Sequence, residues 1–237
     1  EAAREGGGLW NGGGSMKIDG TSIQQNTASG DAADDGGGGV FNNGGSLLMT
    51  NNVTISRNTA TGAAGSGGGL FNATGGSVRA YNVNITRNTA NRAGGGFEDA
   101  SGPSTTVELY DLNIVDNTVF TSPGNGGGIH ISANGDMVIK DSNIDRNEAG
   151  REGGGLWNGG GDMLVYNTSV EDNVGLGNAA NQGGGGAFNN GGFLAFYAGC
   201  RINDNSATGT SGSGGGILNN DGGRLEVVGS RIERNSA

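Results

Sequence analysis

The sequence has little cysteine, proline and positive charge. Its 237 residues include one cysteine and two prolines, with 13 Lys and Arg against 23 Asp and Glu, so the net charge is -10. The lone cysteine, Cys200, cannot form a disulfide within the chain, which excludes a small disulfide-stapled fold. The negative charge opposes binding to phosphate backbones, so nucleic acid is not expected as a partner. No apolar run reaches the roughly 18 residues of a transmembrane helix.

Glycine is abundant, with 54 residues. In a chain without periodicity this content is typical of disorder, but here apolar residues recur at fixed offsets. The pattern Gly-Gly-Gly-apolar-aromatic-Asn returns in eight units with small changes, and successive apolar anchors are 27 to 32 residues apart. These anchors are Leu9, Val40, Leu70, Phe97, Ile129, Leu156, Ala187 and Ile217. A period of this length indicates a repeat protein whose units stack on one another.

Each unit predicts three short strands separated by turns. In Met16-Lys17-Ile18, for example, the apolar residues lie two apart, the period of a strand with one buried face, and no helical period occurs. Leucine-rich repeats need a denser leucine pattern, and propeller blades need four strands and about 40 residues. We therefore predict an all-β parallel β-helix of about eight coils, with three short strands per coil and residues 1–237 as a single segment.

Asparagines recur at two fixed positions in the units, and stacked amides can hydrogen-bond along a solenoid. Two ladders are expected. The first comprises Asn11, Asn42, Asn72, Asp99, Asn158, Asn189 and Asn219. The second comprises Asn26, Asn58, Asn88, Asn117, Asn147, Asn173, Asn205 and Asn235. Unit length varies mainly between the second ladder and the next glycines, as in residues 29–35, 120–125 and 176–182, so the loops are expected at that corner.

The residue after each apolar anchor is mostly aromatic. By strand alternation it should point outward if the anchor points inward. This predicts an outward stripe that offers a contact face for sugar rings or another protein, unless the loops fold back and cover it. Its members are Trp10, Phe41, Phe71, His130, Trp157 and Phe188.

Glu98 and His130 occupy equivalent places in adjacent coils, so their Cβ atoms should lie about 5 Å apart. A carboxylate beside an imidazole can perform acid–base chemistry, although a surface ion pair is the simpler interpretation.

Turns such as Asp34-Asp35 and Asp19-Gly20 leave calcium binding open, but the sequence contains neither a calcium-binding Gly-Gly-x-Gly-x-Asp repeat nor an EF-hand loop. No other cofactor is expected.

The motifs Gly-Gly-Gly-Leu-Trp-Asn and Ile-x-x-Asn-x-Ala resemble those of secreted bacterial right-handed β-helix repeat proteins. They are also similar to the passenger repeats of the chlamydial polymorphic outer-membrane proteins, which have Gly-Gly-Ala-apolar and Phe-x-x-Asn. The resemblance implies a right-handed coil, an extracellular or cell-surface location, and a role in adhesion. Enzymes acting on polysaccharides share this fold, so a lyase or hydrolase using Glu98 is the alternative.

The chain begins and ends within the repeat pattern, at Glu1 and Ala237. Unpaired strand edges associate readily, so both ends are expected to continue into further coils or into other copies of the chain. Surface glycans and proteins of a neighbouring or host cell are the other expected partners. The function expected from these features is a non-enzymatic rod for adhesion or assembly.

Overall fold

A computed structural model describes residues 1–120, 123–132 and 134–237 of the chain. This part of the chain contains β-strands and turns and no helix. All strand pairs are parallel, and each strand pairs with its counterpart in the next unit. The predicted all-β parallel solenoid is therefore confirmed, and its strands form three sheets along its length.

The first sheet contains one strand from each of the eight units, running directly after the glycine triplets. Its strands are Leu9–Asn11, Val40–Asn42, Leu70–Asn72, Phe97–Asp99, Ile129–Ile131, Leu156–Asn158, Ala187–Asn190 and Ile217–Asn220.

The second sheet joins the second and third predicted strands of each unit, which meet at a bend. Units three and four cross this bend without interruption, as Ser77–Thr86 and Thr106–Val115. Elsewhere, the strands before the bend are Ser15–Asp19, Ser46–Thr50, Asp136–Lys140, Asp162–Tyr166, Phe193–Tyr197 and Arg224–Val228. Those after it are Ser22–Gln24, Val53–Ser56, Asn143–Asp145, Ser169–Glu171, Arg201–Asn203 and Arg231–Glu233.

The third sheet consists of two-residue strands directly after the second asparagine ladder, which the sequence reasoning did not assign. Two residues are too few to show a period of two, so no pattern marks them. They are Thr27–Ala28, Thr59–Ala60, Thr89–Ala90, Thr118–Val119, Glu148–Ala149, Val174–Gly175 and Ser206–Ala207.

The register follows the two sequence anchors. Leu9 pairs with Val40, which pairs with Leu70, and the match continues to Ile217. The inward side chains of the first and second sheets form one continuous apolar core along the axis, and Cys200 lies buried within it. A core shared between neighbouring coils explains why each unit needs the next for stability.

The glycine triplets are required by close approach of the backbone. The first glycine of each triplet has a left-handed conformation, for example φ +62° at Gly67, which turns the chain into the first sheet. A Cβ on the middle glycine, Gly68, would collide with the carbonyl oxygens of Thr89 and Gly95. The corner before the triplets holds the loops; of the loop expected at 120–125, residues 121 and 122 lie outside the described part.

Candidate functional site

The predicted aromatic stripe lies on the outer side of the first sheet, but most of it is buried. Phe41, Phe71 and Phe188 are 1 to 2% exposed and Trp157 is 8% exposed, whereas Trp10 in the first coil is 50% exposed. Of the two alternatives, the structure therefore favours the covered stripe from Phe41 to Phe188, and Trp10 is the one exposed member of the six.

Stacking and turn geometry bury the stripe. The rings of Phe41 and Phe71 stack with centroids 5.0 Å apart, because in-register side chains of a parallel sheet follow the coil spacing. The chain segment before each glycine triplet covers the outer ring edges. Trp157 Nε1, for example, donates to Glu152 at 3.2 Å, and Gly159 lies against the other end of the indole. The Trp157 ring thus loses its faces to His130 and Phe188 and its edges to the turns.

Glu98 and His130 interrupt this stack and are adjacent, as their spacing predicts. His130 Nδ1 lies 2.8 Å from Glu98 Oε2, and the imidazole stacks on Trp157 with centroids 4.2 Å apart. Glu98 is fully buried and His130 is 3% exposed, so the pair is not on the surface. Arg92 is the nearest cation, with Nη1 3.9 Å from Glu98 Oε1.

The contact between Glu98 and His130 is not aligned for a hydrogen bond. Both carboxylate oxygens of Glu98 and Nδ1 of His130 lack a hydrogen-bond partner among the described residues. A buried carboxylate is costly unless it is paired, and the groups that pair with Glu98 here are His130 and the Arg92 guanidinium. Because both side chains are buried, a substrate would have to displace the residues that cover the pair to reach it.

The second asparagine ladder is continuous over all eight coils. Each Nδ2 donates to the Oδ1 of the asparagine in the next coil at 3.0 Å in every step. The same Oδ1 also accepts the backbone N–H of the preceding asparagine, as from Asn58 to Asn88 at 2.9 Å. The six inner asparagines of this ladder are buried. The ladder therefore satisfies the backbone at a sharp turn inside the solenoid.

The first ladder is interrupted in the middle of the chain. It runs by Nδ2-to-Oδ1 bonds of 2.7 to 2.8 Å from Asn11 through Asn42 and Asn72 to Asp99. Ile131 occupies the next position, and the ladder resumes from Asn158 through Asn189 to Asn219. Because isoleucine neither donates nor accepts, Asp99 Oδ2 and Asn158 Oδ1 have no partner among the described residues.

Asp99 is the most strongly perturbed acid of this region. Burial raises the pKa of its carboxyl to about 6, against the lowering effect of hydrogen bonds from Asn72 and Ser101, and the nearby Glu98 raises it further. Buried carboxyls with raised pKa values often mark functional sites, but ladder geometry explains this one equally well.

Sequence reasoning missed the aromatic row that is accessible. It lies on the second sheet at the last residue before the bend, where Tyr81, Tyr110, Lys140, Tyr166 and Tyr197 occupy one register position. Tyr81 and Tyr110 stack at 5.1 Å, and Lys140 Nζ lies 5.5 Å from the Tyr110 ring and 5.1 Å from the Tyr166 ring. The regular offset of the tyrosines from the buried strand residues was the signal that could have revealed the row.

A polar groove of about 350 Å³ runs beside this tyrosine row, along the bend of the second sheet. Left-handed backbone conformations at Asp111, Asp141 and Asn167 turn the chain there. Among the described residues, no three His, Cys, Asp or Glu side chains converge as they do around a metal ion. The described residues also contain no helix long and apolar enough to cross a membrane.

Comparisons with known proteins add no identity to this picture. No family model, no curated protein and no solved structure matched the chain.

Proposed function

We propose that this chain is a non-enzymatic structural rod of the cell surface or the extracellular space, which acts in adhesion or assembly. The observation that carries the proposal is the unbroken register of the coils, which repeats outward side chains in straight rows at about 4.8 Å spacing. Such rows offer an extended surface to an extended partner, as solenoids commonly do. The partners of this rod are surface glycans or proteins of neighbouring cells, and copies or further coils of the same kind.

The surface chemistry and the sequence resemblance support this location and role. The net charge of -10 keeps a long polar surface soluble. The resemblance to secreted repeat proteins favours an extracellular or surface location, which immunolabelling of intact cells would test. Labelling that appears only after the cells are permeabilised would contradict it.

The alternative is a polysaccharide lyase or hydrolase that uses Glu98. The burial of Glu98 and His130 between Phe71 and Trp157 disfavours it, because acid–base catalysis needs contact with the reacting atoms. Neither residue lines the groove at the bend of the second sheet or the two other surface depressions near Ile23 and Trp10.

Incubating the protein with a panel of neutral and acidic polysaccharides distinguishes the two functions. We expect the protein to be retained by at least one polysaccharide whose chain length stays unchanged, as measured by size-exclusion chromatography and an assay for new reducing ends. Glu98→Gln is the matched control. Shortened or unsaturated products that disappear in this variant would establish the enzyme and refute the proposed function.

A further inference from the structure

The groove beside the tyrosine row is built from equivalent positions of consecutive coils. Its floor holds the buried side chains of Leu112, Ser142 and Thr168, and its walls come from both sides of the bend. The polar side chains that face it are those of Asp111, Asn113, Asp141, Asn143, Asn167, Ser169 and Arg201. Among these, Asn167 donates to Asp141 at 2.7 Å, and Asn113 donates to Asn84 of the preceding coil at 3.0 Å. The volume of about 350 Å³ lies within the usual range of ligand sites.

Four of these seven polar side chains have no partner within the described part of the protein. The side chains of Asp111, Asn143, Ser169 and Arg201 form no hydrogen bond or ion pair with the described residues. Charged side chains elsewhere on the surface are commonly paired, as Arg79 with Glu108 at 2.6 Å. Arg234 likewise contacts Asp204 at 2.7 Å. The groove therefore concentrates donors and acceptors that are free to contact a ligand.

The mixture of these groups indicates the kind of ligand. Asp111 and Asp141 only accept hydrogen bonds, Arg201 only donates them, and the Asn113 and Asn143 amides and the Ser169 hydroxyl do both. A polyanion would be matched by donors alone, and the net charge of -10 opposes it. A ligand whose groups each donate and accept, as hydroxyls do, fits the whole set.

The tyrosine row restricts how such a ligand is held. The Tyr81 and Tyr110 rings are nearly parallel, at 4°, and cover each other's faces, while Lys140 lies between the rings of Tyr110 and Tyr166. The row therefore presents ring edges and phenol hydroxyls rather than open faces. A sugar would lie beside these edges and be held mainly by hydrogen bonds in the groove.

We propose that this groove binds a neutral linear polysaccharide lying along the solenoid axis, with successive sugar units meeting equivalent side chains of successive coils. The inference rests on the proposed adhesive function and names the ligand class and its site. Asn143 and Arg201 are its central contacts, since both face the groove from the strands after the bend and neither side chain makes a hydrogen bond or ion pair with the described residues.

The test is affinity electrophoresis of the intact chain in gels containing soluble neutral glycans (xylan, galactomannan, mixed-linkage glucan) or acidic ones (pectate, alginate). We expect retardation by at least one neutral glycan and a roughly tenfold weaker association for Asn143→Ala/Arg201→Ala. Arg57→Ala removes an exposed arginine outside the groove and should bind as the parent does. Unchanged melting temperatures and circular dichroism spectra would show that the variants fold.

Three outcomes would overturn the inference: retardation by acidic glycans only, retardation by no glycan, and equal retardation of the parent and the double variant. The proposed adhesive function is judged separately, by binding of the fluorescently labelled chain to intact cells. Cell binding together with equal glycan retardation of the parent and the double variant would refute the groove and leave adhesion standing. Loss of binding to both cells and glycans in the parent would refute both.

Discussion

Asn88→Leu is expected to lower the free energy of unfolding by about 2 to 5 kcal/mol, since each lost partner of a buried polar group costs about 1 to 3 kcal/mol. Asn88 is 1% exposed. Its Nδ2 donates to Asn117 Oδ1 at 3.0 Å and to the Ile55 carbonyl at 2.9 Å. Its Oδ1 accepts from both the side chain and the backbone of Asn58. Leucine is similar in size but can make none of these bonds.

The loss should be measured by urea unfolding of the parent and the variant. Asn113→Leu is the matched control, because Asn113 is exposed on the next coil and its only side-chain hydrogen bond with the described residues is to Asn84. We expect the control to change the free energy of unfolding by about 0.5 kcal/mol or less, as for most surface substitutions. Equal stability of Asn88→Leu and the parent would show that this asparagine is not buried, and the register of the solenoid would need revision.

The fold and its register could be predicted from the sequence because the constraints repeat. An inward residue must be apolar in every coil, so a shift of the strand register by one residue would expose all of the inward side chains. All eight units indicate the same alignment. The side-chain volumes in the core of the seventh unit agree with this register. Ala187 is small at the anchor position, the second sheet supplies Phe196, and both are fully buried.

The burial of the aromatic stripe could not be predicted in the same way. Strand alternation gives the side of the sheet on which Phe71 or Trp157 lies, and this part of the reasoning was sound. Whether that side meets water depends on the path of the chain before the glycines. This path is set by a left-handed residue such as Gly153, with φ +66°, and by contacts such as that of Glu152 with Trp157. Turn geometry of this kind leaves no period in the sequence.

The break in the first ladder shows a further limit. Asp99 resembles asparagine in shape and was expected to continue the ladder, but a carboxylate cannot donate to the next coil, and Ile131 could not accept. The residues that depart from the repeat pattern, at positions 98, 99, 130 and 131, thus lie in two adjacent coils. Departure from the repeat was the signal that these coils differ from the others, and the chemistry of that difference becomes visible only with the contacts.

Asp99→Asn is expected to stabilise the protein at neutral pH. The folded-state pKa of Asp99 is about 6, against an ordinary value of 3.8. Folding therefore favours the protonated form, and the stability associated with this group is fully present below pH 4 and is lost as the pH rises through about 6. A difference of about two pKa units corresponds to about 3 kcal/mol at neutral pH. Asparagine avoids this loss because it is uncharged at all pH values.

The measurement is the difference in free energy of unfolding between Asp99→Asn and the parent, followed from pH 4 to pH 8. The difference should be small at pH 4 and should grow between pH 4 and pH 7, because only the parent loses its proton in that window. The pH-dependent contributions of the other carboxyls are the same in both proteins and cancel in the difference. Glu98 is the exception, because its charge acts on Asp99 directly. Repeating the series in a Glu98→Gln background should reduce the difference without abolishing it, since burial is the larger cause.

Asp204→Asn is the control, because its expected effect on the free energy of unfolding at neutral pH is opposite to that of Asp99→Asn. Hydrogen bonds from Arg234 lower the pKa of the exposed Asp204, so its contribution is present above its ordinary pKa and lost in acid. Its substitution should therefore weaken the protein slightly at neutral pH, while Asp99→Asn strengthens it. A constant difference between Asp99→Asn and the parent over the whole range would mean that Asp99 titrates normally. In that case its Oδ2 must have water or another donor beside it, and the ladder would not be closed to solvent where Ile131 interrupts it.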